Sequence, residues 1–335
     1  MTHSELPDVS IIMPAWKSAD FIATAIRSVQ KQEGVNWELI IVDDASPDQT
    51  EQVVSAFALE DRRIRHEKLS ENRGPSAARN LAIELSRASF IAVLDDDDSM
   101  DPRRLRTLID LAETEKADIV VDNMFAVDDT PDRAVFRPFL DMSGAEPIVP
   151  LTLKEYLDPR SNIRFGESLG YLKPLFRKSA LNVHYNESLR NSEDFYLVAE
   201  LLAKGASMVL TSQPLYHYTL RQGSLSWRLD SERAAAIVSA HKRLNREYGH
   251  NFTKAEADAS RRLLRARQND HALALFIDAL KKRRLARLIS VAFAHPAAIP
   301  DFASWALRVC GEKVTARFSA ASAEGIKSDS ESSCR

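Results

Sequence analysis

The stretch Phe90-Ile91-Ala92-Val93-Leu94-Asp95-Asp96-Asp97-Asp98 decides how this chain is read. Five apolar residues make a buried strand, and four carboxylates follow it with no break. Five carboxylates within seven residues (Asp95 to Asp98, then Asp101) repel one another unless positive charge sits among them. A hard divalent cation with oxygen ligands, Mg2+ or Mn2+, is the natural counter-charge, its shell completed by phosphate oxygens and water. A solvated acidic turn is the plainer alternative; the strand directly before the run favours a ligand crevice.

Toward the N-terminus the same strand-then-helix unit recurs. Val9–Met13 is an apolar run stopped by Pro14, and Ser18 is placed to cap a helix carrying Phe21, Ile22, Ala25, Ile26 and Val29 at helical spacing. Trp37–Val42 reads as a second strand; Ser46, Pro47 and Gln49 then have the spacing of a helix cap. Ile64–Lys68 is a third strand and Gly74-Pro75 opens a helix reaching about Arg87. On the far side Pro102 opens a helix and Ile119–Val121 is a fifth strand. This alternation predicts an α/β fold with a mostly parallel central sheet and helices on both faces. Ligands of such sheets bind at the carboxyl ends of strands. Both acidic groups lie there: Asp43-Asp44 after the second strand and Asp95–Asp98 after the fourth.

The rest of the chain is less regular. Residues 128–190 are rich in proline, with one helix expected near Leu153–Leu157. A helix over Glu193–Lys204 ends at Gly205, strands are expected at Met208–Leu210 and Leu215–Leu220, and residues 231–250 and 254–287 read as charged helices. The polar tail 319–335 has a disordered composition.

Composition bounds the function. The net charge of −3 over 335 residues gives no reason to expect nucleic-acid binding. Two cysteines, Cys310 and Cys334, form neither a disulfide framework nor a zinc spacing and suit a reducing compartment. The start Met1–Glu5 lacks the basic and apolar parts of a signal peptide, and no apolar run reaches the roughly 18 residues of a spanning helix. A cytoplasmic protein is expected. Arg261 to Arg287 holds nine Lys or Arg against two Asp, beside interrupted apolar segments. Residues 261–310 therefore suit peripheral contact with an anionic leaflet, at the cytoplasmic face of the inner membrane. They equally suit packing on the catalytic body, or on a second subunit as a homodimer.

The segments Val9-Ser10-Ile11-Ile12-Met13-Pro14, Ile40-Ile41-Val42-Asp43-Asp44-Ala45-Ser46, Asn72-Arg73-Gly74-Pro75-Ser76-Ala77-Ala78-Arg79-Asn80 and Val93-Leu94-Asp95-Asp96-Asp97-Asp98 occur in this order. Ser192-Glu193-Asp194-Phe195 and Tyr216 through Ser226 follow. Together they resemble the family 2 glycosyltransferases, inverting enzymes with the GT-A fold. The later segments look most similar to rhizobial exopolysaccharide glucosyltransferases of the succinoglycan type.

The resemblance implies a catalytic domain over 1–228, with its nucleotide-binding half at about 8–125 and acceptor half at about 126–228, then a helical region over 229–318. It implies a UDP-sugar donor, most simply UDP-glucose, and a glycan or lipid-linked acceptor. Pro14, Ala15 and Trp16 would line the base pocket, although the family usually has Tyr-Asn where this chain has Trp16-Lys17. Asp43 or Asp44 would hold uracil or ribose, with Arg73 and Arg79 near the nucleotide. Asp95 would contact ribose and Asp97 the metal; four successive aspartates leave Asp96 and Asp98 open for the same roles. His217 is a candidate third metal ligand. Glu193, Arg221, Ser224 and Ser226 would face the diphosphate and sugar.

Inverting transfer needs a base for the acceptor hydroxyl, and the resemblance assigns it to Asp194. Two other classes compete: a phosphohydrolase with an Asp nucleophile, whose Asp-x-Asp normally follows the first strand, and a non-catalytic nucleotide-sugar binder.

Overall fold

A computed structural model describes residues 6–128, 137–161, 168–221 and 230–294, together with Ile299. The first strand, β1 (Val9–Ala15), is buried along its whole length, as a strand covered on both faces must be. It is followed by α1 (Ile22–Gln30), β2 (Trp37–Asp43), α2 (Thr50–Glu60), β3 (Ile64–Lys68), α3 (Pro75–Leu85), β4 (Phe90–Val93), the short β5 (Ser99–Met100) and α4 (Arg104–Thr114). Then come β6 (Ile119–Asp128), β7 (Arg137–Pro138), β8 (Ile148–Pro150), α5 (Leu153–Leu157), β9 (Leu175–Arg177), α6 (Glu193–Ala203) and β10 (Met208–Leu220). Three helices complete the described chain: α7 (Ser231–Tyr248), α8 (Lys254–Lys281) and α9 (Leu285–Ala294).

The strands form one sheet in the order β3-β2-β1-β4-β9-β6-β10-β5, with β7 on β6 and β8 on β10. The β3, β2, β1 and β4 strands run parallel, as do β6 and β10. Strand β9 enters antiparallel between β4 and β6 and joins the two parallel blocks. The α/β fold with a mostly parallel sheet is therefore as the alternation predicted. The expected strands at Met208–Leu210 and Leu215–Leu220 are one strand, irregular between Thr211 and Tyr216.

Two helix starts differ from the sequence reading. Helix α1 begins at Ile22 and α2 at Thr50, and neither has a side-chain cap. Ser18 Oγ instead accepts from the Trp16 amide and donates to Asp96, while Ser46 Oγ accepts from the Lys17 amide. The polar groups around the strand ends out-compete the local capping role of both serines. At α3 the expectation holds: Pro75 stands in the first turn and Gly74 precedes it at φ +89°. Glycine is required there twice over, since a Cβ would run into the Arg190 guanidinium.

By contacts the chain divides into Met1–Arg228 with Ala236–Leu264, and Leu229–Ala235 with Arg265–Arg335. Most of α7 and the first turns of α8 thus fall within the sheet-bearing unit. Ile237, Ala240, Leu244, Ala259 and Leu263 are buried in its core. The Tyr196 hydroxyl donates to the Ile237 carbonyl at 3.2 Å, and Arg262 pairs with Asp158 at 2.7 Å.

Candidate active site

The carboxyl ends of β1, β2 and β4 and the first turn of α6 meet in one polar cluster. Three left-handed residues, Lys17 (φ 57°), Ala45 (φ 55°) and Ser192 (φ 63°), lie at its edges, directly after β1, after Asp43-Asp44, and before α6. A non-glycine residue at positive φ costs on the order of 1–2 kcal/mol, and such strain gathers where backbone must serve a site.

The four aspartates have four different environments. Asp95 Oδ1 accepts from Arg79 at 2.6 Å and its Oδ2 lies 2.6 Å from Lys173 Nζ. Burial alone would raise its pKa, but the two cations outweigh burial and hold the carboxyl well below the usual carboxylate range. Asp96 accepts from Ser18 Oγ and, at 3.1 Å, from the Trp16 amide; burial and the adjacent Asp97 push it up to about 7. Asp97 is half-buried and raised to about 6 by burial and Asp95, with Arg221 and Lys173 pulling the other way. Asp98 is 1% exposed, with Oδ2 on the Tyr216 hydroxyl at 2.7 Å and Oδ1 on the Thr219 amide at 2.8 Å. Burial, then Asp97 and Asp95, raise it well above an ordinary carboxylate.

The β2 pair divides its work. Asp44 accepts from the amides of Arg73 (2.7 Å) and Gly74 (2.8 Å), so it secures the entry to α3, the helix of the next unit. Burial raises its pKa and these amides partly offset that. Asp43 Oδ1 accepts from the Ser46 amide, while the buried Oδ2 has no hydrogen-bond partner among the described residues. Among the described residues its nearest cation is the Lys68 ammonium, 4.0 Å from Oδ2 and beyond hydrogen-bond distance.

The cluster is joined to α6 by two cations. Arg79, 3% exposed, donates to Glu193 Oε1 at 2.7 Å as well as to Asp95. Lys173 Nζ donates to Asp194 Oδ2 at 3.2 Å. Burial would lower its pKa, but Asp95 and Asp194 hold the ammonium well above the ordinary lysine range. Asp194 Oδ1 and Tyr185 Oη are both buried without a hydrogen-bond partner among the described residues. Beneath Lys173, Arg104 and Asp122 form a fully buried pair at 2.8 Å, and Arg104 Nη2 donates to the Lys173 carbonyl at 2.5 Å. Burial raises Asp122 despite the Arg104 charge.

The sequence candidates therefore separate. Asp43, Arg79, Asp95, Asp96, Asp97, Glu193 and Asp194 come together with Ala15 and the 40% exposed Trp16, over whose ring Lys17 Nζ sits at 4.5 Å. Pro14 is a register partner of Val42 within the sheet. Glu193 is committed to Arg79, and Arg73 to Glu187 at 2.6 Å. His217 Nδ1 lies 3.4 Å from Ser99 Oγ and its ring 6.1 Å from Phe125, and Asp101 and Asp122 are among the carboxylates acting on it. Arg221 stacks at 3.8 Å on Phe21. Ser224 and Ser226 lie outside the described residues.

Three residues of the cluster have no counterpart among the sequence candidates: Lys173, Tyr216 and Arg104. Lys173 has one local signal, the following Pro174, which holds its backbone extended.

Residues 10–176 match the family model "Glycosyl transferase family 2". The succinoglycan biosynthesis protein ExoO of Rhizobium meliloti is 35% identical over 298 residues, 88% of this chain and 84% of that protein. The chain belongs to glycosyltransferase family 2. ExoU of the same organism is 34% identical, covering 90% of this chain and 87% of the relative. The fold is shared with solved structures of low identity. Staphylococcus aureus TarS 1–349 in complex with UDP-GlcNAc has a TM-score of 0.62 at 19% identity, over 88% of this chain and 89% of that one. The Pyrobaculum calidifontis mannosyltransferase PcManGT, in complex with GDP-Man and Mn2+, has a TM-score of 0.53 at 16% identity, over 90% and 84%. The family 2 chain is thus a transferase of polysaccharide biosynthesis, which sets aside the hydrolase and the non-catalytic binder.

A divalent cation suits the donor set in part. Among the described residues no three His, Cys, Asp or Glu side chains converge to hold one alone. Asp97 and Asp96, both raised in pKa, are the carboxylates that would hold magnesium or manganese if phosphates completed its shell.

Proposed function

We propose that this protein transfers a hexose, glucose by preference, from a UDP-sugar to a glycan or lipid-linked acceptor, inverting the anomeric centre, in exopolysaccharide or surface polysaccharide synthesis. One observation carries the reading: Lys173 holds Asp95 of the donor side and Asp194 of the acceptor side on a single ammonium. The two carboxylate functions of such a reaction must flank the sugar, and they are adjacent here without coinciding.

In the proposed reaction uracil lies against Trp16 and Asp43, and ribose against Asp95. Asp97, with Asp96 beside it, holds Mg2+ or Mn2+, which would supply Lewis-acid stabilisation of the diphosphate. Asp194 Oδ2, on the side of Asp95, accepts the proton of the acceptor hydroxyl. The acceptor oxygen bonds to the anomeric carbon as the bond from that carbon to the diphosphate breaks, and UDP leaves with the electron pair. Arg221, already felt by Asp97, is placed to meet the charge that develops. Glu193 acts through Arg79 rather than on the sugar.

The test is a donor panel with purified protein, each metal and lipid-linked acceptors, scored by UDP release and sugar incorporation. Asp194→Asn should bind UDP normally and transfer no sugar. Turnover retained in that variant removes Asp194 from the base role.

We place the reaction at the cytoplasmic face of the inner membrane. No described helix is long and apolar enough to cross a membrane. The support is the exposed run Lys281-Lys282-Arg283-Arg284 and the exposed Ile289 and Phe293 of α9. Of the more N-terminal arginines, Arg261, Arg262 and Arg267 face Asp258, Asp158 and Asp270.

A further inference from the structure

Lys173 is buried, and its backbone is fixed from two directions. Arg104 Nη2 takes its carbonyl at 2.5 Å, and the amide of Val93 in β4 takes the carbonyl of Pro174 at 3.1 Å. Arg104 is itself gripped by both oxygens of Asp122, at 2.8 to 3.2 Å, with no solvent exposure on either side chain. The stem of Lys173 thus rises from a rigid floor, and its ammonium ends between Asp95 Oδ2 (2.6 Å) and Asp194 Oδ2 (3.2 Å).

Asp194 has few other ties. Arg79 is 3.8 Å away and already holds Glu193 and Asp95 at closer range. Oδ1 is buried and makes no hydrogen bond at normal distance among the described residues, although the Tyr185 hydroxyl acts on the same carboxylate. The oxygen on the donor side is the one that Lys173 holds. With Lys173 removed, Asp194 Oδ2 loses its close hydrogen-bond donor and keeps Arg79 at 3.8 Å, while the buried Tyr185 hydroxyl that acts on the same carboxylate offers a competing donor toward which it can rotate.

We propose that Lys173 is a positioning residue for the general base, its ammonium fixing Asp194 Oδ2 toward the donor while the Arg104–Asp122 pair fixes Lys173. The assignment rests on the reading of Asp194 as the base. The placement itself is independent of that reading, and the two can be tested apart.

The experiment compares wild type, Lys173→Met and Lys173→Arg by crystallography and steady-state kinetics with UDP-sugar and acceptor. Displacing a catalytic group by about 1 Å costs about 100-fold in rate, so Lys173→Met should lower kcat by that order. KM for the donor should change little, since Arg79 still holds Asp95. Lys173→Arg, which keeps a cation at that height, should restore most of the loss. In the Lys173→Met crystal the Asp194 carboxylate should be rotated from its wild-type position. An unmoved Asp194, or a kcat within threefold of wild type, overturns the proposal; so does a loss confined to KM. If Lys173→Met does not fold, Lys173→Gln, which keeps a polar head but removes the charge, decides by the same two readouts, with the same loss of kcat and the same rotation of Asp194 expected. Absence of transfer by wild type would sink the transferase reading, whereas the crystallographic comparison would still decide what holds Asp194.

Discussion

The Tyr216 hydroxyl donates to Asp98 Oδ2 at 2.7 Å, and this bond orders the roles of four successive aspartates. The Thr219 amide takes the other oxygen of Asp98, so both of its oxygens are spent on β10. Asp95 is spent on Arg79 and Lys173. Asp97 makes neither of these commitments, and in the proposed reaction it is the carboxylate that holds the cation, with Asp96 beside it.

Substitution should separate these roles. Asp97→Asn should abolish Mn2+-dependent UDP binding in calorimetry while leaving the melting temperature within a few degrees of wild type. Asp98→Asn should do the converse. An amide has one acceptor oxygen where the carboxylate has two, so a buried donor faces an amide nitrogen, at a cost of about 1–3 kcal/mol. Thermal melts should show that loss, with metal binding retained. The reverse pattern would move the metal to Asp98.

The raised pKa values give a signed pH dependence for the metal-free protein. Asp96 at about 7 and Asp97 at about 6 bind protons in the folded state that an unfolded aspartate, with its ordinary pKa of 3.8, has already released. Between those values the folded state binds more protons, so stability falls as pH rises and is lowest above about pH 7. With chelator present, chemical denaturation should show higher stability at pH 5.5 than at pH 8. With Mn2+ present the dependence should weaken or reverse, because the cation replaces the protons. A pH-independent, chelator-insensitive midpoint would refute the electrostatic description of the cluster.

Arg104→Met tests the floor beneath Lys173. Removing one partner of a buried ion pair leaves Asp122 uncompensated, which typically costs 3–5 kcal/mol, about a third or more of a domain's stability. Denaturation should show a loss of that size. The double variant Arg104→Met/Asp122→Leu should recover part of it, since two apolar groups leave no charge buried.

What the sequence made legible was everything carried by the strand–helix alternation: the order of β1 to β4, the two acidic strand ends, and the opening of α6 at Glu193-Asp194. What it hid was the set of side chains that tertiary packing brings in from elsewhere. Lys173 lies in a proline-rich stretch without periodicity, and Arg104 looks like any charged residue in the first turn of a helix. Alternation put Tyr216 and His217 on opposite faces of β10, but it carries no information on which face meets the aspartates. Ser18 and Ser46 have the spacing of caps because the local rule is correct; Asp96 and the Lys17 amide offer them stronger partners once β1, β2 and β4 lie side by side.

The proposed membrane contact is argued from the corner between α8 and α9. Helix α8 ends at Lys281, and Arg283 turns the chain at φ 52°, so four exposed cations occupy the bend. Among the described residues, only Asp278 pairs with one of them, Lys282, at 2.9 Å. In α9 Val291 is buried against Ala272, while Ile289 and Phe293, one turn apart, are 58% and 84% exposed. An exposed apolar ridge beside a basic bend matches the two contributions of an anionic leaflet, acyl-chain contact and headgroup charge. Each basic residue contributes about 1 kcal/mol near such a surface, so the bend supplies up to about 4 kcal/mol. Vesicles of phosphatidylglycerol should sediment the protein and vesicles of phosphatidylcholine should not. Raising salt should release it, because the headgroup attraction is screened within a Debye length. Ile289→Asp/Phe293→Asp should weaken binding without altering the melt. Equal binding to both vesicle types, or a shift of these variants from dimer to monomer with no change in sedimentation, would make the ridge a protein interface instead.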